Sequence, residues 1–336
     1  MPQRTTLLRR LPVAVLAVAI STTLLAGCGD DKTTADTKPA AASAGSDTAA
    51  SFPQSITHAM GTTEIKSQPK RVVVLDSGEL DDVTLLGITP VGAVSPHLKT
   101  EGGFPTYLKG EIQGTKDVGP MAEPNLELIA SLKPDLILSS KVRHEKIYDK
   151  LSAIAPTVFA QTTGVTWKDN IALYAKALGK EDQAKKALAD YQARAAKLGT
   201  EIKEKNNGTM PTASVVRFIA GPTRLYQKAS FSGTVLQDVG LGRPASQDVD
   251  GSMMDVSPEQ IDKADADLVF VTVADDPNKT QQSQVESTPV WQNLKAVKAD
   301  KVFNVPDETW MSGIGVQAAD QMLNDIAKAS GVTPVN

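Results

Sequence analysis

The sequence predicts an α/β protein of two lobes, each built on a parallel sheet, joined by one long rigid helix. Three observations carry that prediction. Short apolar runs rich in β-branched residues alternate with helical patterns on either side of the middle of the chain. The same order of elements recurs in the two halves. Between them, Glu181–Lys205 contains no proline and places Ala184, Ala187, Leu188, Tyr191, Ala195, Leu198 and Ile202 at steps of three and four. That spacing makes one face of an amphipathic helix, which at 1.5 Å per residue spans roughly 35–40 Å. Gly199, well inside the run, is its weak point, at a cost of about 1 kcal/mol relative to Ala.

A length of 336 residues fits two domains once the ends are set aside. The expected organisation is a targeting signal at 1–27, a tether at 28–55, a first lobe at 56–166, a helical segment at 167–206 and a second lobe at 207–336. Residues 1–27 carry Arg4, Arg9 and Arg10, then an apolar run at 11–20, then Leu24-Leu25-Ala26-Gly27-Cys28. This is a charged start, an apolar stretch too short to span a bilayer and small residues before a cleavage point. Cys28 is the only cysteine, so no internal disulfide can form. Residues 29–55 are rich in Ala, Ser, Thr, Gly and Asp and cannot bury enough surface to offset their ordering entropy. A formal net charge of −4 without clustered bases gives no reason to expect nucleic acid.

In order, 71–75 (RVVVL) reads as a buried strand and 77–86 as a helix with Ser77 as its N-cap and acids in its first turns. A strand begins at 90–94, and a loop with Ser95-Pro96-His97 runs through a Gly-rich stretch to Gly119-Pro120. Residues 123–132 form a helix with Pro124 in the first turn and Asn125 as a possible cap, followed by a strand at 136–138, a helix at 145–154 and a strand at 156–159. After the long helix come a strand at 214–219, a loop carrying Arg224 and Tyr226, and a helix at 230–240. A helix opened by Ser257-Pro258-Glu259 leads to a strand at 266–271. A helix at 291–297, a strand at 301–305 and an amphipathic helix at 316–330 finish the chain. NLELIASLKPDLILSS and SPEQIDKADADLVFVT share a cap, a Glu, an Ile, a break and an apolar strand. Strand–helix alternation of this kind means βαβ units, hence two Rossmann-like lobes.

The Leu-Ala-Gly-Cys ending resembles a bacterial lipoprotein signal, which implies that Cys28 is lipidated and holds the chain on the extracytoplasmic face of the cell membrane. The segments 123–140 (EPNLELIASLKPDLILSS), 256–273 and 294–310 (LKAVKADKVFNVPDETW) resemble substrate-binding lipoproteins of ABC importers of the long-interlobe-helix type. That class carries ferric siderophores, haem or cobalamin. Residues 141–159 (KVRHEKIYDKLSAIAPTVF) resemble its ferric-siderophore branch, particularly carriers of hydroxamate and citrate-type siderophores. The resemblance implies a ligand between the lobes at the carboxyl ends of the strands, where open parallel sheets bind ligands. It also implies a monomer that works with an importer permease and its ATPase. No cofactor is expected, because iron arrives inside its chelator and takes no direct ligand from the protein.

Guanidinium groups match siderophore oxygens in paired hydrogen bonds. Arg143 follows the strand at 136–138, and Arg224 and Tyr226 follow the strand at 214–219, both in loops on the expected side. Arg217 lies within that apolar strand, where a basic residue is costly unless paired, which favours a role of some kind. Each arginine also fits a surface charge or a structural ion pair. Trp310 could pack on the ligand or in the core, while His97 and Met121 are further candidates in neighbouring loops. Trp167, before a helix start, reads as core. The resemblance assigns Glu127 and Glu259 to docking against permease arginines, one on each lobe; the helix dipole alone would favour an acid at either place. A haem carrier would need an axial ligand, for which Tyr226 or His97 would serve. A lipid-anchored envelope hydrolase is the alternative of another class. The sequence has no Gly-x-Ser-x-Gly turn, no Gly-rich phosphate loop after a strand, and no second His at helical spacing from His144.

Overall fold

The computed structural model describes residues 51–95, 103–274 and 276–334. An antiparallel hairpin, Gln54–His58 (β1) and Gly61–Ile65 (β2), leads into Val72–Val74 (β3) and Ser77–Leu85 (α1). Then come Gly92–Ser95 (β4), Lys116–Pro120 (β5), Leu126–Ser131 (α2), Leu136–Ser140 (β6), Lys141–His144 (α3), Tyr148–Ser152 (α4) and Thr157–Ala160 (β7). Trp167–Leu178 (α5) and Glu181–Lys205 (α6) follow. The second half contains Ala213–Phe218 (β8), Thr223–Tyr226 (β9), Phe231–Val239 (α7), Met253–Val256 (β10) and Leu268–Val273 (β11). It closes with Gln282–Glu286 (α8), Pro289–Gln292 (α9), Lys295–Lys298 (α10), Val302–Asn304 (β12) and Val316–Ser330 (α11).

The two sheets have matching orders. The first runs β5-β4-β3-β6-β7 and is wholly parallel; the second runs β10-β9-β8-β11-β12. In each, the strand at one edge (β5 or β10) ends at a helical turn that crosses under the sheet to its fourth strand (β6 or β11). This is the shared pattern of NLELI and SPEQI. The second sheet differs in one respect: β9 pairs antiparallel with β8 and with β10. Residues 223–226, expected as a loop, form this strand because the chain reverses at Gly221, whose φ of +145° suits glycine.

Local differences have local causes. Asp76, not Ser77, caps α1, its carboxylate accepting from the Ser77 amide at 2.7 Å. Asn125 caps α2 through the Leu128 amide at 2.9 Å. The helix expected at 145–154 starts earlier, at Lys141, and is broken by a 3-10 turn at Glu145–Ile147. The segment opened by Ser257 is a 3-10 helix, Pro258–Ala264, with a capping box between Ser257 and Gln260.

Alternation along the strands divides the core into three clusters. Val72 and Val74 of β3, Leu136 and Leu138 of β6, Val215 of β8 and Phe270 of β11 all face one apolar layer shared by both sheets. Helices α1, α5, α6, α7 and α11 fill that layer, with α6 packed on α5, α7 and α11. The intervening residues face two private clusters, Val73 and Ile137 in the first lobe, Val216, Val269 and Val271 in the second. Trp167 is buried in the shared layer, edge-on to Tyr191 at 5.2 Å and Phe231 at 5.6 Å.

Gly199 is where α6 and α7 touch. A Cβ there would lie 2.1 Å from the Val239 carbonyl oxygen, so the glycine is a contact point and not a weak one. Helix propensity alone would have Gly199→Ala gain about 1 kcal/mol. The contact instead predicts a loss of roughly 1–3 kcal/mol, measured as a lower urea midpoint; a stabilised variant would contradict the close approach.

Helix α1 also carries three acids into the interior. Burial and the nearby Asp76 charge push Glu79 up from 4.5 to about 8. The Tyr174 hydroxyl lies 2.5 Å from Glu79 Oε1 and 2.9 Å from the Ser139 carbonyl, but a phenol has one proton. A protonated Glu79 donating to the phenol, which donates to Ser139, gives both contacts a proton, while Glu79 Oε2 has no partner. Burial raises Asp82 as well, and its Oδ1 has no partner. Asp81, raised to about 6 by burial, accepts from the Gln317 and Ala318 amides at 3.0 Å each and so caps α11 from outside. The Gly315 N-cap leaves room for it: a Cβ there would sit 2.3 Å from Asp81 Oδ1.

A folded-state pKa above the unfolded one means that the folded chain holds the extra proton. The Glu79 contribution is therefore complete below pH 4.5 and declines as pH rises towards 8. Glu79→Gln, which keeps the shape, should raise the melting temperature over the parent at pH 8 and change it little at pH 4.5. A difference independent of pH would contradict the protonated acid.

Candidate functional site

A cavity of about 680 Å³ opens at the carboxyl edge of the first sheet, within the usual small-ligand range of about 300–1,000 Å³. Ala122 after β5, α3 with its following turn, and Gln161 and Thr162 after β7 line it. The turn is held by His144, which points inward: Nε2 donates to the Met121 carbonyl at 2.7 Å, leaving Nδ1 to accept from Ser139 Oγ at 2.6 Å. Burial lowers its pKa, with the Met121 carbonyl and the Asp76 charge opposing, which keeps the ring neutral. With His144 anchored, Lys141, Val142 and Arg143 are turned to the cavity, and Val142 is 61% exposed.

Arg143 spends one nitrogen on the protein. Its Nε donates to Asp76 Oδ2 at 2.7 Å; the Asp76 side chain is fully buried and that of Arg143 is 34% exposed. Burial disfavours the guanidinium charge, but the Asp76 charge and hydrogen bond outweigh it, so its pKa moves up. The two terminal nitrogens have no hydrogen-bond partner among the described residues. They are free for the paired acceptance that carboxylate or hydroxamate oxygens offer. Lys141 pairs with Glu145 at 3.4 Å, and Lys146 has no ion pair among the described residues. The lining is therefore net basic.

The second lobe gathers Arg217, Arg224 and Tyr226 on one face of its sheet. Arg217 and Arg224 are directly opposed across β8 and β9, where like charges repel. Each has its own acid. Arg217 clamps Asp307 with Nε and Nη2 at 2.7 and 2.8 Å, and donates from Nη1 to the Tyr226 hydroxyl at 3.0 Å. Burial works against its charge; the Asp307 and Tyr226 interactions reverse that and raise its pKa. Arg224 sits 3.3 Å from Asp255 on β10. Half-buried Arg243 donates to the Tyr226 carbonyl and to Gln247 at 2.7 Å, fixing the end of β9. Neither Arg217, Arg224 nor Tyr226 lines the 680 Å³ cavity.

Two expected ligand contacts are corrected. Trp310 is fully buried, stacked on Phe270 at 4.5 Å with its Nε1 donating to Asp325 at 2.9 Å, so its ring is core. The Met121 side chain is buried in the private core of the first lobe, and only its carbonyl serves the site, through His144. His97 and Cys28 lie outside the described residues. Glu127 and Glu259 are both exposed in the first turn of the helical segments that leave β5 and β10. Glu259 is held low by its own backbone amide and by Ser257. Sequence reading missed Asp76, Asp307 and the inward His144; the one local signal was an acid following each of two predicted strands.

Residues 72–309 match the family model described as periplasmic binding protein. The chain is 41% identical over 298 residues to the probable siderophore-binding lipoprotein YfiY of Bacillus subtilis, covering 84% of this chain and 90% of that one. It is 34% identical over 271 residues to the Fe(3+)-citrate-binding protein YfmC of the same organism, covering 80% and 83%. Staphylococcus aureus SirA complexed with staphyloferrin B superposes with a TM-score of 0.78 at 38% identity, covering 84% of this chain and all of that one. Among the described residues no helix is long and apolar enough to cross a membrane. The match over 72–309 agrees with the resemblance carried by 123–140, 256–273 and 294–310, and the chain belongs to the periplasmic binding protein family.

Proposed function

We propose that this chain is a lipid-anchored extracytoplasmic carrier that captures a ferric siderophore of the hydroxamate or citrate type and delivers it to an ABC importer. The observation that carries the reading is Arg143, pinned by Nε with both terminal nitrogens free beside Lys141 and Lys146. A basic cavity with one fixed fork suits an anionic chelate rich in carboxylate oxygens. Relatives named for siderophore, ferric citrate and staphyloferrin B binding support the same class. The iron arrives enclosed in its chelator, so the protein reads the chelator's outer oxygens and supplies no ligand to the metal. Capture and release require no chemistry on the ligand. Exposed Glu127 and Glu259 occupy equivalent places in the two lobes, which suits docking on paired permease arginines. Residues 1–27 are the signal that is cleaved, the lipid on Cys28, then the first residue, is the anchor, and the carrier acts as a monomer.

Fluorescence titration of the purified chain with ferric citrate, ferric staphyloferrin B and a ferric hydroxamate should show saturable quenching at micromolar levels or below with at least one. No quenching by any of the three would overturn the reading. Arg143→Ala should weaken the productive complex by about 10- to 100-fold, the worth of a charge-assisted bond or two. Charge reversal at Glu127 together with Glu259 should abolish iron uptake in cells while the measured affinity stays at the parent value. An equal fall in affinity would remove these acids from the docking role.

A further inference from the structure

Hydrogen bonds joined through the covalent framework of Ser77 and Ser312 link Arg143 in the first lobe to Arg217 in the second. Arg143 Nε donates to Asp76 Oδ2 at 2.7 Å, and Asp76 Oδ1 accepts from the Ser77 amide at 2.7 Å. Ser77 Oγ, 3.3 Å from that same oxygen, donates across the lobes to the Ser312 carbonyl at 2.5 Å. Ser312 Oγ donates to Asp307 Oδ2 at 3.0 Å, and Arg217 clamps Asp307 from the far side. Both carboxylates are buried, Asp76 at 1% and Asp307 at 6% exposure. A buried carboxylate is costly unless paired and hydrogen-bonded, so each binds its arginine tightly. Each serine hydroxyl has one proton to give, and a backbone carbonyl can only accept, so the Ser77–Ser312 bond has one possible direction. Of these residues only Arg143 lines the cavity.

We propose that Asp76, Ser77, Ser312 and Asp307 are positioning residues for ligand capture, coupling the pose of Arg143 in one lobe to that of Arg217 in the other through the Ser77–Ser312 bond. The inference rests on the reading of Arg143 as a ligand contact. Asp76 does two things at once: it caps α1 and fixes the Nε edge of Arg143, which is why the terminal nitrogens face outward. Loosening the clamp on Asp307 withdraws support from Ser312, then from Ser77, and so from the acid that aims Arg143.

The test reads the arginines directly. In the full chain labelled with nitrogen-15 and free of ligand, the Nε–Hε signals of Arg143 and Arg217 are assigned with Arg143→Lys and Arg217→Lys. Ser312→Ala, a second-lobe change, should shift the Arg143 signal upfield and speed its exchange with water; Ser77→Ala should do the same to Arg217. Thr272→Val removes the 2.9 Å bond to Asp307 Oδ1, which lies off the path, and should move Arg217 while shifting Arg143 less than Ser312→Ala does. Ser312→Thr, which restores the hydroxyl, should restore the Arg143 signal. An Arg143 signal unmoved by Ser312→Ala, or moved as much by Thr272→Val, overturns the coupling and leaves two independent ion pairs. With ferric citrate or ferric staphyloferrin B, whichever quenches the parent, Ser312→Ala should weaken binding about three- to tenfold, the worth of one hydrogen bond. If neither those complexes nor the hydroxamate binds the parent, the transport reading fails, while the ligand-free spectra still decide the coupling.

Discussion

One apolar layer serves two sheets, and most of the architecture follows from that sharing. The inner faces of both sheets, with Val74 and Leu138 from one and Val215 and Phe270 from the other, contribute to a single cluster with helices α1, α5, α6, α7 and α11. Moving the lobes apart would expose that cluster, at about 25 cal/mol for every Å² of apolar surface uncovered. The long helix is the centre of this layer, and the backbone-to-backbone approach of Gly199 to Val239 sets how close α7 can come. The segment from 307 to 318 then returns over the first lobe and is tied there by Ser77, Thr106 and Asp81. The lobes are thus joined by packing and by polar contacts on the same side of the molecule.

Charge in the interior is handled by two different means. Burial raises both Glu79 and Asp82: the Arg143 charge opposes it only weakly at Glu79, which holds its proton up to about pH 8, and no cation acts on Asp82. Asp76 and Asp307 are as deeply buried and each is offset by an arginine. The division has a functional edge. Arg143 is balanced by one charge while its open side carries none, so an incoming anion meets a guanidinium whose protein partner is behind it. Arg217 is enclosed by Asp307 and Tyr226 and has less to offer a ligand, which makes the two arginines unequal despite their similar places.

Periodicity was informative wherever it ran long. The bounds of α6 and α11 were legible to the residue because each buries one continuous stripe, and the parallel strands were legible because their apolar runs are bounded by Pro, Gly and Asp. β9 was not, since TRLY has two apolar residues and is a strand only because Gly221 lets the chain fold back on β8. The candidate arginines were found by their place after strands. Their acids were not, because Asp76 and Asp307 stand 67 and 90 positions away from the residues they pair with. Trp310 misled for the reverse reason: its position at the end of a strand suggested a lining residue, and the stack on Phe270 that hides it is tertiary. Glu127 and Glu259 were legible as a repeated pair because the two sheets share one strand order.

The turn at Lys141–His144 has a further property that follows from its anchor. His144 is bound at both ring nitrogens, by Ser139 on the strand behind it and by the Met121 carbonyl beside it. Each residue of a helical turn is rotated by about 100° from the last. With the ring docked, inserting one residue between Arg143 and His144 would swing the guanidinium away from the opening. The segment can therefore change what it presents, by exchanging Lys141 or Val142, but its length is fixed by a side chain that never meets the ligand.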